Sequence, residues 1–403
     1  MFGATYLGGV IQIIPEGTVP LTLFQVLLLL LILVCFLHYL IFNKERFQIL
    51  GIELELLLIL TLISFSIIYS PNRESALLNL SRIIFLIIMV YVIVNLLKER
   101  KHFYAIFFLM TFMAVILGSL SVHAALLDPF TAVMNLRYGG TRIIGRGAIT
   151  IEDPNVFATL FFLPIAFTTS IFLSQTSILK RSAALGVTLV LLAGLASTYS
   201  RSAWIASAVL LMMLVIYYKQ YKMMGLTACA IIIIILAVPE LRDLTVGMFN
   251  RLLDIFAGSA DDSSKIRMML GIAAMHMFFD SYMLGVGFRG FPEMFTNYFS
   301  TQKSIGVVEP HNVIYEILAE LGVIGFGLFL LLMIAIYRVA ASNIRRSTDI
   351  HNRVIATALI STLTAFLIFY QFYGGGLMNT NLWATIGLIF AQRFYLNRPG
   401  SGI

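Results

Sequence analysis

GVGFRGFPEMFTNYFSTQKSIGVVEPHNVIYEILAELGVIGFGLFLLLMI, residues 285–334, changes character near its middle. Its first half is polar, aromatic and marked by glycine, and after Pro310-His311-Asn312 we expect a long apolar helix. Glu316 and Glu320 fall in the first turns of that helix. Ionisable groups at a water–lipid boundary are costly unless they pair or face a polar cavity. A cluster of such groups at this boundary therefore predicts a functional site.

The composition is that of a membrane protein. Of the 403 residues, 60% are hydrophobic and 12% are charged, which is about half the charge of an ordinary soluble domain. Cys35 and Cys229 both fall in apolar runs, so they predict neither a disulfide framework nor a metal site. The P-loop, HExxH and CxxC patterns do not occur in the sequence, which removes support for a nucleotide-driven pump, a zinc protease and a redox enzyme.

The apolar runs predict an all-α, polytopic integral membrane protein. A transmembrane helix needs about 20 residues, and we expect about 11 to 12 of them, with a helical cap on the outer membrane surface. The eleven runs lie at 21–42, 49–69, 76–97, 103–127, 156–174, 183–199, 202–218, 225–239, 312–337, 354–373 and 377–396.

These runs divide the chain into five parts. Transmembrane helices are expected at 1–127, 156–239 and 312–403, separated by outer loops at 128–155 and 240–311. Fifteen of the 27 Lys and Arg residues fall in one set of loops, which we assign to the cytoplasm together with the C-terminus. Many of the others lie in the two long loops, where the charge is free to serve a substrate.

His311 is the candidate general base. It follows a proline and precedes the long helix, so we expect its imidazole at a helix N-terminus on the outer face. The helix dipole there disfavours imidazolium, and a neutral ring can take a proton from a hydroxyl group. The same pattern also fits a capping or interfacial histidine. Asn312 is adjacent and Tyr315 lies one helical turn on, so both are candidate substrate contacts.

Arg201 lies in Ser200-Arg201-Ser202-Ala203-Trp204, at the tip of a tight hairpin between the runs at 183–199 and 202–218. A guanidinium fixed at this depth presents a bidentate donor fork to a phosphate among the lipid headgroups. A topological anchor that reaches up to the headgroups is the plainer explanation of the same residue.

Three further arginines are weaker candidates. Arg267 begins an amphipathic segment at 266–279, where a solvated helix face is the alternative. Arg289 lies among glycines that permit a close backbone approach to an anion, although the glycine spacing is a weak motif. Arg82 lies seven residues into its span and either reaches the interface or pairs with an acid such as Glu316 or Glu320.

The segment Glu152-Asp153-Pro154-Asn155 ends the first outer loop. Proline and asparagine favour a turn followed by a helix start, so a helix entrance is the plain reading. Asn155 is also a candidate substrate contact. One acidic pair without further acidic residues is poor evidence for a metal site, and we expect neither a metal nor a cofactor.

Taken together, these motifs resemble the O-antigen ligase and O-antigen polymerase superfamily of bacterial membrane glycosyltransferases. The resemblance rests on D-P-N before a span, S-R-S-A-W at a hairpin, an arginine opening an outer-loop helix, G-V-G-F-R-G-F, and P-H-N-V-I-Y-E-I-L-A-E-L-G-V-I-G. It covers roughly residues 145–335, and the order of the pieces is more specific than any one of them.

The resemblance implies a GT-C-like enzyme of the bacterial inner membrane with its active site on the periplasmic face. Such an enzyme transfers a glycan from undecaprenyl pyrophosphate to an acceptor sugar hydroxyl, without a metal and with inversion at the anomeric carbon. The key histidine of the family corresponds to His311 and its two key arginines to Arg201 and Arg267. The implied partners are the lipid-linked donor, a glycan or lipid A-core acceptor, membrane lipid and a chain-length regulator, with no nucleic acid.

Three alternatives stay open at this point. A ligase joins the glycan to lipid A-core and a polymerase joins it to another repeat unit, and the sequence favours a polymerase of O-antigen or exopolysaccharide only slightly. A transporter of lipid-linked sugars would carry polar residues through the membrane midplane in paired halves. A non-catalytic scaffold would tolerate loss of His311 and Arg201.

Overall fold

A computed structural model describes residues 47–127, 134–135, 142–143, 154–198, 200–222, 225, 246, 262–299 and 309–398. These residues are almost entirely helical, which confirms the predicted fold class. The helices are α1 (Glu53–Ser66), α2 (Arg73–Leu96), α3 (Arg100–Leu127), α4 (Pro154–Ala158), α5 (Phe162–Ser174), α6 (Ile178–Ser197), α7 (Arg201–Tyr218), α8 (Asp262–Asp280), α9 (Phe291–Tyr298), α10 (Val313–Arg346), α11 (Ile350–Phe369) and α12 (Thr380–Leu396).

Short 3₁₀ turns at Thr159–Phe161 and Gly376–Met378 precede α5 and α12. The two-residue strands β1 (Met134–Asn135) and β2 (Arg142–Ile143) form one antiparallel pair in the first long loop.

Nine of the eleven predicted spans fall on described residues, and each is a helix. Seven helical stretches in this part of the chain are long and apolar enough to cross a membrane. The helices α1 and α12 are shorter, with 14 and 17 residues. The predicted spans at 21–42 and 225–239 lie outside the described residues.

The bundle has two chemically distinct ends. We call one the site end, because five helices begin there with polar residues. Asn72, Asn155, Ser200, Asn312 and Asn379 precede or open α2, α4, α7, α10 and α12. At the opposite end the helix termini carry basic residues, and the guanidinium of Arg393 donates to the carbonyl oxygen of Leu50 at 3.1 Å.

Helices α5 and α11 form the centre of the bundle. In the most apolar part of Pro154–Ser174, the stretch that ends with α5, 89% of the residues are buried within the protein, and in that of α11 78% are buried, compared with 28% for α6. Phe162 of α5 packs edge-on against Phe366 and Phe369 of α11, with ring centroids 5.3 and 5.8 Å apart. Since α5 begins at the site end, this aromatic packing fixes the depth of the segment that contains Asn155.

Helix α10 is broken at Gly322, where φ is 68° and ψ is −164°. A straight helix of 34 residues would be about 50 Å long, whereas the 20 residues of α11 span about 30 Å. Both ends of α10 lie beside α11, because Val313 N–H donates to the Tyr370 carbonyl at 2.9 Å and only three residues join Arg346 to Ile350. The segment 313–321 therefore runs in a direction of its own, and 323–346 forms the spanning part.

The loop 281–290, which joins α8 to α9, packs into the break in α10. The N–H groups of Val286 and Gly287 donate to the carbonyls of Ala319 and Glu320 at 2.8 and 3.0 Å, so the carbonyls freed by the break keep partners. Irregular backbone at membrane depth needs such internal partners. An added Cβ at Gly285 would lie 2.6 Å from the Glu320 carbonyl, so the two backbones meet at glycine.

The cap is formed by α8, α9 and the segment 313–321 of α10. It has a small hydrophobic cluster of its own, separate from the main core, in which Ala319 is the contribution of α10. The predicted amphipathic helix at 266–279 corresponds to α8, which begins at Asp262, within the acidic and serine-rich stretch expected to cap it. The other cluster members are Leu270, Ala273, Ala274, Met277, Phe291 and Phe295.

Candidate functional site

His311 lies on a tightly held turn at the site end. Its φ of 55° is in the left-handed region, which a residue with a side chain rarely adopts. The next residue, Asn312, caps α10 by accepting from the N–H groups of Ile314 and Tyr315 at 2.9 and 3.1 Å. The His311 ring packs against Tyr373, with centroids 5.7 Å apart. The imidazole is therefore next to the N-terminus of α10, as predicted.

Asn312 also ties this turn to the end of α11. Its Nδ2 donates to the carbonyl oxygen of Gln371 at 2.9 Å, while its Oδ1 is occupied by the helix cap. Both the nitrogen and the oxygen of the Asn312 side-chain amide therefore make hydrogen bonds within the protein. A role of Asn312 in substrate binding stays a prediction.

Arg267 and Tyr315 line one groove between α8 and α10, with a cavity volume of about 390 Å³. Gly271, one turn after Arg267, faces the ring of Tyr315, because a Cβ added there would lie 3.1 Å from the ring. Tyr315 in turn is four residues from His311. The groove is completed by Met268, Ile272, Met275, His276 and Phe279. It combines a guanidinium with an apolar wall.

Arg201 is the first residue of α7, and Ser200 is the N-cap residue, whose side chain makes no capping hydrogen bond to that helix. Ser200 is buried, and its hydroxyl donates to Oδ1 of Asn155 at 2.7 Å. The predicted hairpin tip and the predicted D-P-N turn are therefore in direct contact. This contact was not anticipated from the sequence, since 44 residues separate the two motifs.

A chain of contacts relates Arg201 to His311. The turn after Asn155 reaches Thr159, whose hydroxyl accepts from Nδ2 of Asn381 at 3.4 Å. Asn381 opens α12, which follows the turn whose Gly375 N–H donates to Glu316 at 2.9 Å. Both candidate residues therefore lie at the same end of the bundle.

Arg289 is surrounded by carboxylates. Its Nη1 lies 3.2 Å from Oε1 of Glu309 and 3.8 Å from Oε1 of Glu316, and its own N–H donates to Oε2 of Glu320 at 2.8 Å. Burial alone would lower the pKa of the Arg289 guanidinium, but Glu320, Glu309 and Glu316 outweigh it and raise that pKa. The side chain is 10% exposed. Its predicted role in anion binding stays untested, and its observed contacts join three segments of the chain.

Arg82 faces a polar neighbour on its own helix. Its Nη1 donates to Oδ1 of Asn79 at 3.4 Å, and Asn79 in turn donates to the Ser75 carbonyl at 2.8 Å. The carboxylates of Glu316 and Glu320, offered above as its partners, are those that surround Arg289.

Glu309 and the turn 373–376 are features of the site that the sequence analysis missed. Glu309 precedes Pro310-His311 directly, and an acid beside the candidate base was a readable signal. The run of three glycines at 374–376 was another, because such a run marks a close backbone approach. Glu152 and Asp153 lie outside the described residues, and the described part of the chain contains no group of three or more metal-binding side chains.

The described residues together define a multi-pass, predominantly helical membrane protein with arginines and a histidine gathered at one end. A family model described as O-antigen ligase matches residues 186–330. The matched part contains Arg201, Arg267, Arg289 and His311, whereas Asn155 precedes it. The match confirms the resemblance to the O-antigen ligase and polymerase superfamily and supports a glycosyltransferase of that type.

The search of curated proteins gave no match. A solved structure described as "Structural coordination of polymerization and crosslinking by a peptidoglycan synthase complex" is similar at 12% sequence identity, covering 85% of this chain and 95% of that chain, with a TM-score of 0.42. A TM-score of this size is too low to add to the fold assignment.

Proposed function

We propose that the protein transfers a glycan from undecaprenyl pyrophosphate to a sugar hydroxyl of an acceptor glycan, with the site end facing the periplasm. The observation that carries this proposal is the groove shared by Arg267 and Tyr315, one turn from His311, at the end of the bundle where Arg201 also opens its helix. The basic helix termini at the opposite end support a cytoplasmic location for that end.

Arg201 and Arg267 bind the pyrophosphate of the donor. Negative charge develops on the leaving pyrophosphate as its bond to the anomeric carbon breaks, and preorganised guanidinium groups stabilise that charge without ATP. Each guanidinium can offer a bidentate fork to phosphate oxygens. The apolar wall beside Arg267, which includes Ile272 and Phe279, suits a donor that carries a hydrocarbon chain.

His311 acts as the general base. The acceptor oxygen attacks the anomeric carbon from the face opposite the pyrophosphate, the bond to pyrophosphate breaks, and the hydroxyl proton passes to the imidazole. Attack from the opposite face inverts the anomeric configuration. The reaction balances with a lengthened acceptor, undecaprenyl pyrophosphate and one proton, and it needs no metal. Asn312, Tyr315, Arg289, Arg82 and Asn155 are the remaining candidate contacts, to substrate or to the groups that bind it.

We favour a polymerase, with the O-antigen ligase as the alternative, and the glycans of a deletion strain test the choice. Loss of long chains with a single repeat unit still attached to lipid A-core means polymerase. Loss of every core-attached repeat unit means ligase. Unchanged surface glycans, or accumulation of donor on the cytoplasmic side alone, would contradict both and point to a scaffold or a transporter.

A further inference from the structure

We infer that Glu309 is a positioning residue, which holds His311 in its left-handed conformation by bracing the turn between Arg289 and Gly374-Gly375. This inference rests on the proposed role of His311. It adds a function for Glu309, to which the proposed chemistry gives no role.

The backbone of His311 needs such support. A residue with a side chain at φ 55° is in a sparsely populated conformation, and such conformations persist only where neighbouring contacts over-determine them. On the C-terminal side the support comes from the Asn312 cap and from the bond of Val313 N–H to the Tyr370 carbonyl at 2.9 Å. On the N-terminal side it comes from Pro310, which is buried, and from Glu309.

The Glu309 carboxylate is held from two directions. Oε1 lies 3.2 Å from Nη1 of Arg289, and the two side chains are 21% and 10% exposed, so the pair is largely out of water. On the other side the carboxylate packs on glycine backbone, because a Cβ at Gly375 would lie 2.6 Å from Oε2 and one at Gly374 2.9 Å from it. A side chain at either position would therefore have to displace the acid.

The same contacts reach the His311 backbone. The Cβ position of Gly374 is 2.7 Å from Cβ of Glu309 and 3.3 Å from the backbone nitrogen of His311. The residue after Gly374, Gly375, donates its N–H to Glu316. The residue before Gly374, Tyr373, packs on the His311 ring. The turn 373–375 therefore touches His311 and two of the three carboxylates around Arg289, those of Glu309 and Glu316. Displacing Glu309 would release one side of the left-handed turn.

Arg289 is held in place by hydrogen bonds on both sides of its loop. It lies in the loop that fills the break in α10, and this loop is anchored on the opposite side by the hydroxyl of Ser70, which donates to the Phe288 carbonyl at 2.8 Å. Arg289 is therefore held between α10 and the connection that joins α1 to α2, and its guanidinium contacts the acid that precedes Pro310-His311. The carboxylate of Glu309 is the link between them.

The test is a kinetic comparison of Glu309→Ala, Glu309→Gln and Gly374→Ala. The donor is the lipid-linked glycan extracted from a deletion strain, and undecaprenyl pyrophosphate serves as the binding probe. We expect Glu309→Ala to lower kcat at least tenfold with the donor KM and the probe affinity changed less than twofold. Glu309→Gln should keep most of the activity, because its amide oxygen still accepts from Arg289 and fills the same space. Gly374→Ala pushes the carboxylate aside without removing its charge and should lower kcat as Glu309→Ala does.

The control is Glu293→Gln, at an exposed acid of the cap whose bond to Asn72 lies in another part of the site end, and it should leave kcat unchanged. An unchanged kcat in Glu309→Ala, or an effect on KM alone, overturns the inference. If Glu309→Ala does not fold, an unchanged kcat in Gly374→Ala overturns it equally. Near-normal activity of His311→Ala would instead defeat the proposed function, whereas an inactive His311→Ala with fully active Glu309 variants would defeat only this inference.

Discussion

The N–H of Val323 donates to the carbonyl oxygen of Met283 at 2.9 Å, so the first residue after the break in α10 bonds to the cap and not to its own helix. Together with the two bonds from the cap loop to Ala319 and Glu320, this contact makes the break a defined feature of the fold. The candidate base lies at the end of the short segment that the break creates.

Replacing Gly322 by alanine should destabilise the protein. The added Cβ would lie 2.3 Å from the Met283 carbonyl oxygen at a residue with φ 68°. We expect a loss of about 2 kcal/mol in the free energy of unfolding, from backbone strain alone, measured by denaturation in detergent. Gly327→Ala is the matched control, since it lies in the same helix with no atom within 4 Å of its Cβ position. Equal stability of the two variants would contradict the role of the break.

His311→Ala should abolish glycan transfer while the protein stays folded, because the side chain lies before the helix start and outside the hydrophobic core. The measurement is transfer of the extracted lipid-linked glycan, with thermal unfolding as the check on folding. His351→Ala, which removes a histidine at the opposite end of the bundle beside Tyr104, is the control and should remain active. Substantial transfer by His311→Ala would reject the assignment of the base.

Arg201→Lys should lower transfer at least tenfold, since an ammonium group cannot reproduce the planar fork of a guanidinium. Donor binding should weaken as well, which titration with undecaprenyl pyrophosphate measures. Arg345→Lys, at an exposed arginine of the opposite end, should leave both quantities unchanged. A fully active Arg201→Lys would mean that Arg201 serves only as a membrane anchor.

Tyr298 should make the protein less stable in alkali. Burial and a hydrogen bond at 2.8 Å from its hydroxyl to Asp280 raise the pKa of Tyr298 to about 12. Between about pH 10 and this value the unfolded chain loses the phenolic proton while the folded protein keeps it, so stability falls as pH rises. In Tyr298→Phe this part of the decline should be absent, whereas Tyr282→Phe, at a residue that is 89% exposed, should behave like the wild type. Identical alkaline unfolding curves for wild type and Tyr298→Phe would contradict this contribution of Tyr298 to the loss of stability.

Transfer should be undiminished in excess EDTA, because the proposed chemistry gives the charge of the leaving group to arginines. The measurement is the rate of transfer with and without the chelator, with added magnesium as the comparison. A strict requirement for a divalent ion would direct attention to Glu152 and Asp153.

The helices could be predicted from the sequence because a membrane span is recognised from about 20 consecutive apolar residues, without knowledge of tertiary contacts. Each predicted span on described residues became a helix, and the amphipathic pattern at 266–279 correctly indicated α8. The break at Gly322 was not predicted, because residues 312–337 read as one apolar run. Its left-handed backbone is imposed by Met283 and Gly285, which approach it only in the folded state.

The site was predicted in part for the same reason. His311 and Asn312 could be assigned to a helix start from neighbouring residues alone, and the Asn312 cap is present. The sequence analysis offered Arg82 as a partner of Glu316 or Glu320, whereas the fold places Arg289 beside both acids. Distance along the sequence does not show which arginine the fold brings near. The contact of Ser200 with Asn155 likewise depends on how α4 and α7 pack.

The loop that fills the break in α10 also constrains the order of assembly in the membrane. The donors at Val286 and Gly287 are synthesised before their acceptors at Ala319 and Glu320, and both must reach the same side of the bilayer before they can pair. Without this loop the carbonyls at the break would lack partners. The bent form of α10, and with it the turn around His311, therefore depends on a segment that precedes it in the chain.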